Sequence, residues 1–176
     1  MPKINTYLAT NPPLTRAVVG FLITRDNHVI LGLRKKVSFG LGANLISGIG
    51  GKVGDIEGLE NETDEEAMQR ETKEEIGVRV TNLQKVAEIT FLFPDKPKWN
   101  QFVIGFIIDK WTGELEETDV IKPKIYNVDQ LPTNSMWEDN KYWLPLVFER
   151  KHVKATFLYG SNCSSVVEKV VKQTSY

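Results

Sequence analysis

The chain has 176 residues with a single cysteine, two histidines and a formal net charge of −1. A lone cysteine, Cys163, cannot close an internal disulfide and excludes a cysteine-based zinc site; it fits a reducing compartment. Within Ser161-Asn162-Cys163-Ser164-Ser165 it has no histidine nearby in sequence, so it has no support as a nucleophile. With only His28 and His152 available, a two-histidine metal site is not expected. The charge lacks the basic excess that a phosphate backbone requires, so no nucleic-acid polymer is expected as partner. Of the short basic clusters, Arg150-Lys151 reads as solvated surface. Arg34-Lys35-Lys36 reads the same way, or as facing phosphates, because it precedes a glycine-rich segment. No apolar run approaches a membrane span, and residues 1–15 lack the charged-then-apolar pattern of a secretory signal. A cytoplasmic protein without a membrane partner is therefore expected. No repeat, low-complexity stretch or linker divides the chain. The expectation is one domain over residues 16–176, preceded by a polar arm, residues 1–15, extended around Pro12-Pro13.

The apolar pattern predicts strands over 16–24 and 29–34, joined by a turn at Arg25-Asp26-Asn27-His28 into a hairpin. Further strands are expected over 78–93, 101–109, 121–127 and 153–159. Helices are expected over 62–76 and 139–151, and residues 164–173 read as a closing helix. Strands, one helix, strands, a second helix and a final strand imply an α/β (α+β) sandwich with a mixed sheet rather than regular βαβ alternation. The helix at 62–76 is the best marked. Thr63-Asp64-Glu65-Glu66 is a capping-box pattern, Gly77 is a left-handed stop, and Met68, Thr72 and Ile76 form a core stripe.

Residues 48–78 carry the chemistry. Glu71, Glu74 and Glu75 stand at i, i+3 and i+4, one face of the helix. Three carboxylates on one face repel, and a divalent cation removes that penalty; hard oxygens at this density suit Mg²⁺ or Mn²⁺. Arg70 can hold a carboxylate with two parallel hydrogen bonds. The plainer reading of such a charge run is a solvated helix face. The preceding segment shifts the balance: Gly48, Gly50, Gly51 and Gly54 let backbone approach a ligand closely, and Lys52 adds a cation beside them.

The combination resembles the Nudix hydrolase signature. Arg70-Glu71, Thr72, Lys73, Glu74-Glu75, Ile76, Gly77 and Val78 match its second half, except that Thr72 replaces an aliphatic residue. Glu62, seven residues before Arg70, is taken as the counterpart of the signature's first glutamate. Glu57 has the family spacing from Gly51 but lies twelve residues before Arg70. Either way the connecting loop is five residues too long, and the extra length is placed in 54–61. Beyond the signature, Phe39-Gly40-Leu41-Gly42, Met136-Trp137-Glu138-Asp139 and Tyr142-Trp143-Leu144-Pro145-Leu146 resemble the branch that hydrolyses oxidised purine nucleoside triphosphates.

That resemblance implies a Nudix αβα sandwich and Mg²⁺-dependent attack of water on a phosphoanhydride, releasing a nucleoside monophosphate and pyrophosphate. It implies Glu71, Glu74, Glu75 and the Gly50 carbonyl as metal ligands, with Glu74 or Glu75 as general base and Arg70 as their support. Trp137 and Asp139 match residues that stack on and hydrogen-bond the purine, although core packing is the commoner use of Trp137 and Trp143. Departures from the branch bear on the substrate. Asn140 stands for a second aspartate, Ser47 for a base-contacting asparagine that Asn44 lies near enough to replace, and Ile46 for a tryptophan. An auxiliary metal-site glutamate falls at Val120, with Asp119 or Glu117 as substitutes. Other nucleoside diphosphate derivatives (a dinucleoside polyphosphate, a nucleotide sugar, a capped RNA end) remain alternative substrates, and a non-catalytic ligand-binding module is the alternative outside enzymes.

Overall fold

The computed structural model describes residues 2–36 and 44–174. Phe39-Gly40-Leu41-Gly42, part of the resemblance above, lies outside them. Among the described residues the elements are α1 (Ile4–Leu8), β1 (Thr15–Ile23), β2 (His28–Arg34), β3 (Ile46–Ser47), α2 (Asp64–Ile76), β4 (Arg79–Leu92), β5 (Gln101–Thr112), β6 (Ile121–Asn127), α3 (Asn140–Phe148), β7 (His152–Tyr159) and β8 (Val166–Thr174).

The strands form one mixed sheet in the order β3-β2-β1-β5-β4-β7-β8, and β6 pairs with β2. The β1/β5 and β4/β7 pairs are parallel and the others antiparallel. Side chains alternate across a strand, so the central strands feed two cores. Val18 and Leu22 of β1, Ile30 of β2 and Ile104 and Phe106 of β5 pack with Met68 and Ile76 of α2. Phe21, Val29, Leu31, Ile107 and Phe157 face the other way and pack with Trp143, Leu144 and Val147 of α3. The result is the expected helix–sheet–helix sandwich. Among the described residues no helix is long and apolar enough to cross a membrane.

Helix α2 has the ends its sequence implies. Thr63 accepts from the Glu66 amide while the Glu66 side chain accepts from the Thr63 amide, closing the capping box, and Gly77 ends the helix with φ 79°. Met68, Thr72 and Ile76 are fully buried. Thr72 fits an aliphatic position because its hydroxyl donates within the helix, to the Met68 carbonyl at 3.0 Å and the Gln69 carbonyl at 3.1 Å.

Two segments differ from expectation. Residues 164–173 are not a helix; they form β8, paired antiparallel along the whole of β7. Val166/Val170 and Val167/Val171 have i,i+4 spacing, which imitates a helical stripe. Paired valines are stiff at χ1 and favour strands, and the open edge of β7 offers the backbone a ladder. The lead-in also contains α1 instead of running extended throughout. Its Ile4 is buried against Leu92 and Leu158, with Tyr7 packed beside them, and the Tyr7 hydroxyl accepts from Asn100 Nδ2 at 3.1 Å.

Candidate active site

The segment after β3 lies against β1 as a short antiparallel run. The Val18 amide donates to the Gly51 carbonyl at 2.8 Å, and the Val53 amide donates to the Arg16 carbonyl at 3.0 Å. The approach leaves no room for a side chain at Gly50, where a Cβ would lie 2.0 Å from the Val18 carbonyl oxygen. At Gly51 a Cβ would lie 2.3 Å from Glu71 Oε1. The glycines therefore let bare backbone meet the carboxylates of α2.

Glu75 is buried, and its Oε2 accepts from the Gly50 amide at 3.1 Å. Burial pushes its carboxyl up to about 7; the Arg34 charge opposes the rise and the Glu71 charge adds to it. Burial likewise raises Glu71, against the hydrogen bond from Arg70, and the charges of Glu74 and Asp55 push the same way. Glu74 points elsewhere: its side chain is 53% exposed, and its Oε2 accepts from Arg70 Nη1 at 3.2 Å. So the helix brings Glu71 and Glu75, not all three glutamates, to the cavity wall.

Arg70 is the hub beneath them. It forks onto Glu62, with Nε to Oε1 at 2.7 Å and Nη2 to Oε2 at 3.0 Å. It also donates to Glu71 at 2.9 Å and to the Lys52 carbonyl at 3.0 Å. Glu62 Oε2 accepts as well from the Gly54 amide at 3.1 Å, and the Arg70 hydrogen bond lowers its pKa. This places Glu62, not the exposed Glu57, against Arg70. The longer loop folds back through two turns, with Leu59 donating to Ile56 and Glu62 to Leu59. Its Asp55 reaches the cavity wall.

One cavity of about 370 Å³ joins this acidic end to an aromatic end. Gly50, Gly51, Lys52, Glu71 and Glu75 line the first; Phe93, Trp99, Trp137, Asp139, Asn140 and Tyr159 line the second. Asp139 is buried and accepts from Trp143 Nε1 at 2.8 Å and from the Tyr159 hydroxyl. Burial lifts it to about 6, against those two hydrogen bonds, so at neutral pH it is mostly an acceptor. Trp137 stands edge-on to Tyr159 at 5.4 Å and to Phe93 at 6.1 Å, and those two rings stack at 4.5 Å. Asn140 Nδ2 donates to the Trp137 carbonyl at 3.1 Å.

Ser47 lines the cavity beside Arg34, whose Nε donates to its Oγ. Asn44 does not reach it: it is exposed, in a turn with φ 73°. Val120 lines the wall, whereas Glu117 is drawn off by Lys35 at 2.6 Å and Lys122 at 3.5 Å, and Asp119 is exposed. Ile46 belongs to the core on the α3 side.

Phe93 and Tyr159 are not singled out by the sequence, and Arg34, read there as solvated or phosphate-facing, meets Glu75 and the Gly50 carbonyl instead. For Arg34 a signal existed. It shares strand parity with Ile30, which packs under α2, so alternation turns it toward Glu75.

The donor set suits a small hard cation. Among the described residues no three carboxylate, imidazole or thiol groups already converge into a metal cluster. What converges is the buried Glu75 carboxylate, raised by burial and further by the charge of Glu71, and the half-buried Glu71, raised by burial, beside a backbone carbonyl at a position where a Cβ would clash with Val18. An open site of that kind is what Mg²⁺ takes when substrate phosphates complete it.

The raised Glu75 carboxyl gives a stability prediction for the metal-free protein. An acid whose folded pKa exceeds its unfolded value binds more protons folded than unfolded between the two. Stability therefore falls as pH rises through about 4.5–7, by ~3 kcal/mol at most. In EDTA, wild-type Tm should be lower at pH 7.5 than at pH 5.5, and Glu75→Gln should flatten much of that slope. An equal slope in the variant would contradict the assignment.

Comparison with known proteins bears on the same residues. The family profile described as NUDIX domain matches residues 13–147. The chain is 35% identical over 130 residues to a mouse protein named oxidized purine nucleoside triphosphate hydrolase, covering 74% of this chain and 78% of that one. It is 33% identical over 138 residues to a zebrafish protein of the same name, covering 78% and 83%. Its fold is similar to that of a mutator MutT protein from Bacillus halodurans, with TM-score 0.73 and 19% identity over 90% of this chain and 97% of the other.

Proposed function

The chain belongs to the Nudix family, and from that premise we propose that it is a cytoplasmic, Mg²⁺-dependent pyrophosphohydrolase of purine nucleoside triphosphates, oxidised ones included. Nudix hydrolases are generally dependent on a divalent metal. The observation that carries the reading is one continuous cavity with hard oxygens at one end and an aromatic, carboxylate-bearing slot at the other.

Glu71, Glu75 and the Gly50 carbonyl would hold the metal, with Mn²⁺ able to substitute. When bound, a divalent cation there polarises phosphoryl oxygens and neutralises developing charge. Arg70 fixes Glu71 and the glycine segment in register. The attacking water gives its proton to Glu75 or Glu74; Glu75, on the cavity wall, is the better placed. Lys52 supplies positive charge beside the phosphates. At the other end Trp137 offers an indole surface to the base, and Asp139, aimed by Trp143 and Tyr159, accepts from a base-edge N–H. Asn140 cannot change protonation as an acid does, which narrows the tautomers the slot tolerates. The names of the mouse and zebrafish relatives support oxidised purines as the substrate class.

A nucleotide panel tests this reading: dGTP, 8-oxo-dGTP, 2-hydroxy-dATP and a dinucleoside polyphosphate, each with Mg²⁺. The expected result is the highest kcat/KM on an oxidised purine triphosphate; preference for the dinucleoside polyphosphate would move the substrate to another class. Trp137→Ala should raise KM for purine substrates by about tenfold, as loss of ~1–3 kcal/mol of base stacking implies. An unchanged KM on every active substrate would remove Trp137 from the site.

A further inference from the structure

Arg34 closes β2 on the sheet face covered by α2. Its guanidinium touches two of the three groups assigned above to the metal: Nη1 lies 3.3 Å from Glu75 Oε1, and Nη2 lies 3.3 Å from the Gly50 carbonyl oxygen. Its Nε donates to Ser47 Oγ at 3.1 Å. The side chain is buried and lines the cavity.

The planar fork of an arginine can span two acceptors at once, and here those acceptors are already tied to each other through the Gly50 amide. Both contacts are long for charge-assisted hydrogen bonds, which run about 2.7–2.9 Å. A Mg²⁺ ion seated about 2.0–2.1 Å from the same oxygens would lie within a few ångströms of the guanidinium, like charge against like. Resting on the metal site proposed above, we infer that Arg34 is a stand-in cation: it holds Glu75 and the Gly50 carbonyl in place in the metal-free protein, and the divalent ion must displace it.

Two consequences follow from electrostatics alone. The divalent ion binds the free protein more weakly than its donors would allow, because it works against Arg34. An anion in the cavity that accepts the displaced guanidinium relieves that opposition, so a nucleoside triphosphate and the metal favour each other's binding, and the coupling is reciprocal. Ser47 sets how firmly the arginine is held, which assigns a role to the residue standing where the related branch has a base-contacting asparagine.

The test is Mn²⁺ binding to the full chain, followed by calorimetry and by the spin-resonance signal of free Mn²⁺. It is done at pH 8.5, so that the carboxylates are ionised in every variant, with and without a non-hydrolysable α,β-imido purine triphosphate. Arg34→Met should bind Mn²⁺ about tenfold more tightly than wild type without nucleotide, and the further tightening caused by nucleotide should shrink. Equal or weaker binding by Arg34→Met overturns the inference. If Arg34→Met does not fold, Ser47→Ala decides: loosening the arginine should tighten Mn²⁺ binding by a smaller factor, and unchanged or weaker binding overturns the inference. Glu75→Gln separates the two readings. If it leaves wild-type Mn²⁺ affinity intact, the metal site itself is misassigned. If it weakens binding while Arg34→Met binds no tighter than wild type, only the role of Arg34 falls.

Discussion

Replacing Glu75 with glutamine should lower kcat by about 10²–10⁴-fold, the usual contribution of a positioned general base, while leaving the metal-free protein at least as stable as wild type at pH 7.5. The two halves come from one observation. The Glu75 carboxylate is buried, and burial lifts its pKa to about 7. Holding that charge costs folding free energy, which glutamine avoids while keeping an oxygen for the Gly50 amide. A residue kept for stability would behave in the opposite way, losing Tm and little turnover. Glu74→Gln should have the smaller effect on kcat, because that side chain is largely exposed and turned onto Arg70. Equal losses in the two variants would return Glu74 to the site.

Arg70→Met should destabilise the fold by about 3–5 kcal/mol, the cost of leaving a buried charge without its partner, equivalent to a fall in Tm of roughly 10 °C. The stranded group is Glu62, whose side chain is 3% exposed and receives two hydrogen bonds from Arg70. Arg70 also spans from α2 to the Lys52 carbonyl, so its loss loosens the glycine segment against the helix. Arg70→Lys should recover little, since one ammonium cannot reproduce a fork that reaches Glu62, Glu71 and backbone together. Urea denaturation of the two variants measures this directly, and a loss below about 1 kcal/mol in Arg70→Met would show that the network is ornamental to folding.

How much of this was legible in the sequence depended on distance along the chain. The capping box at Thr63, the stop at Gly77 and the buried stripe of Met68, Thr72 and Ile76 are local, set by helical geometry, and were readable. The same geometry over-grouped the glutamates: positions i, i+3 and i+4 share a face, but Arg70, four residues before Glu74, draws that side chain away from the cavity. The choice of Glu62 as counterpart of the signature glutamate followed from its spacing to Arg70, whereas its pairing with Arg70, the path of the longer loop, and the arrival of Asp55 at the cavity wall did not. Contacts across long stretches of chain were harder still. Nothing near Asp139 in sequence indicates that Tyr159 will aim it, and only strand parity hints that Arg34 meets Glu75. At β8 the local signal misled, because i,i+4 valines look helical until the free edge of β7 is known.

The most direct test is product analysis of 8-oxo-dGTP incubated with the protein and Mg²⁺. The account predicts one nucleoside monophosphate and one pyrophosphate per turnover, with EDTA abolishing both. Orthophosphate and a nucleoside diphosphate as products, or turnover that persists in EDTA, would contradict it.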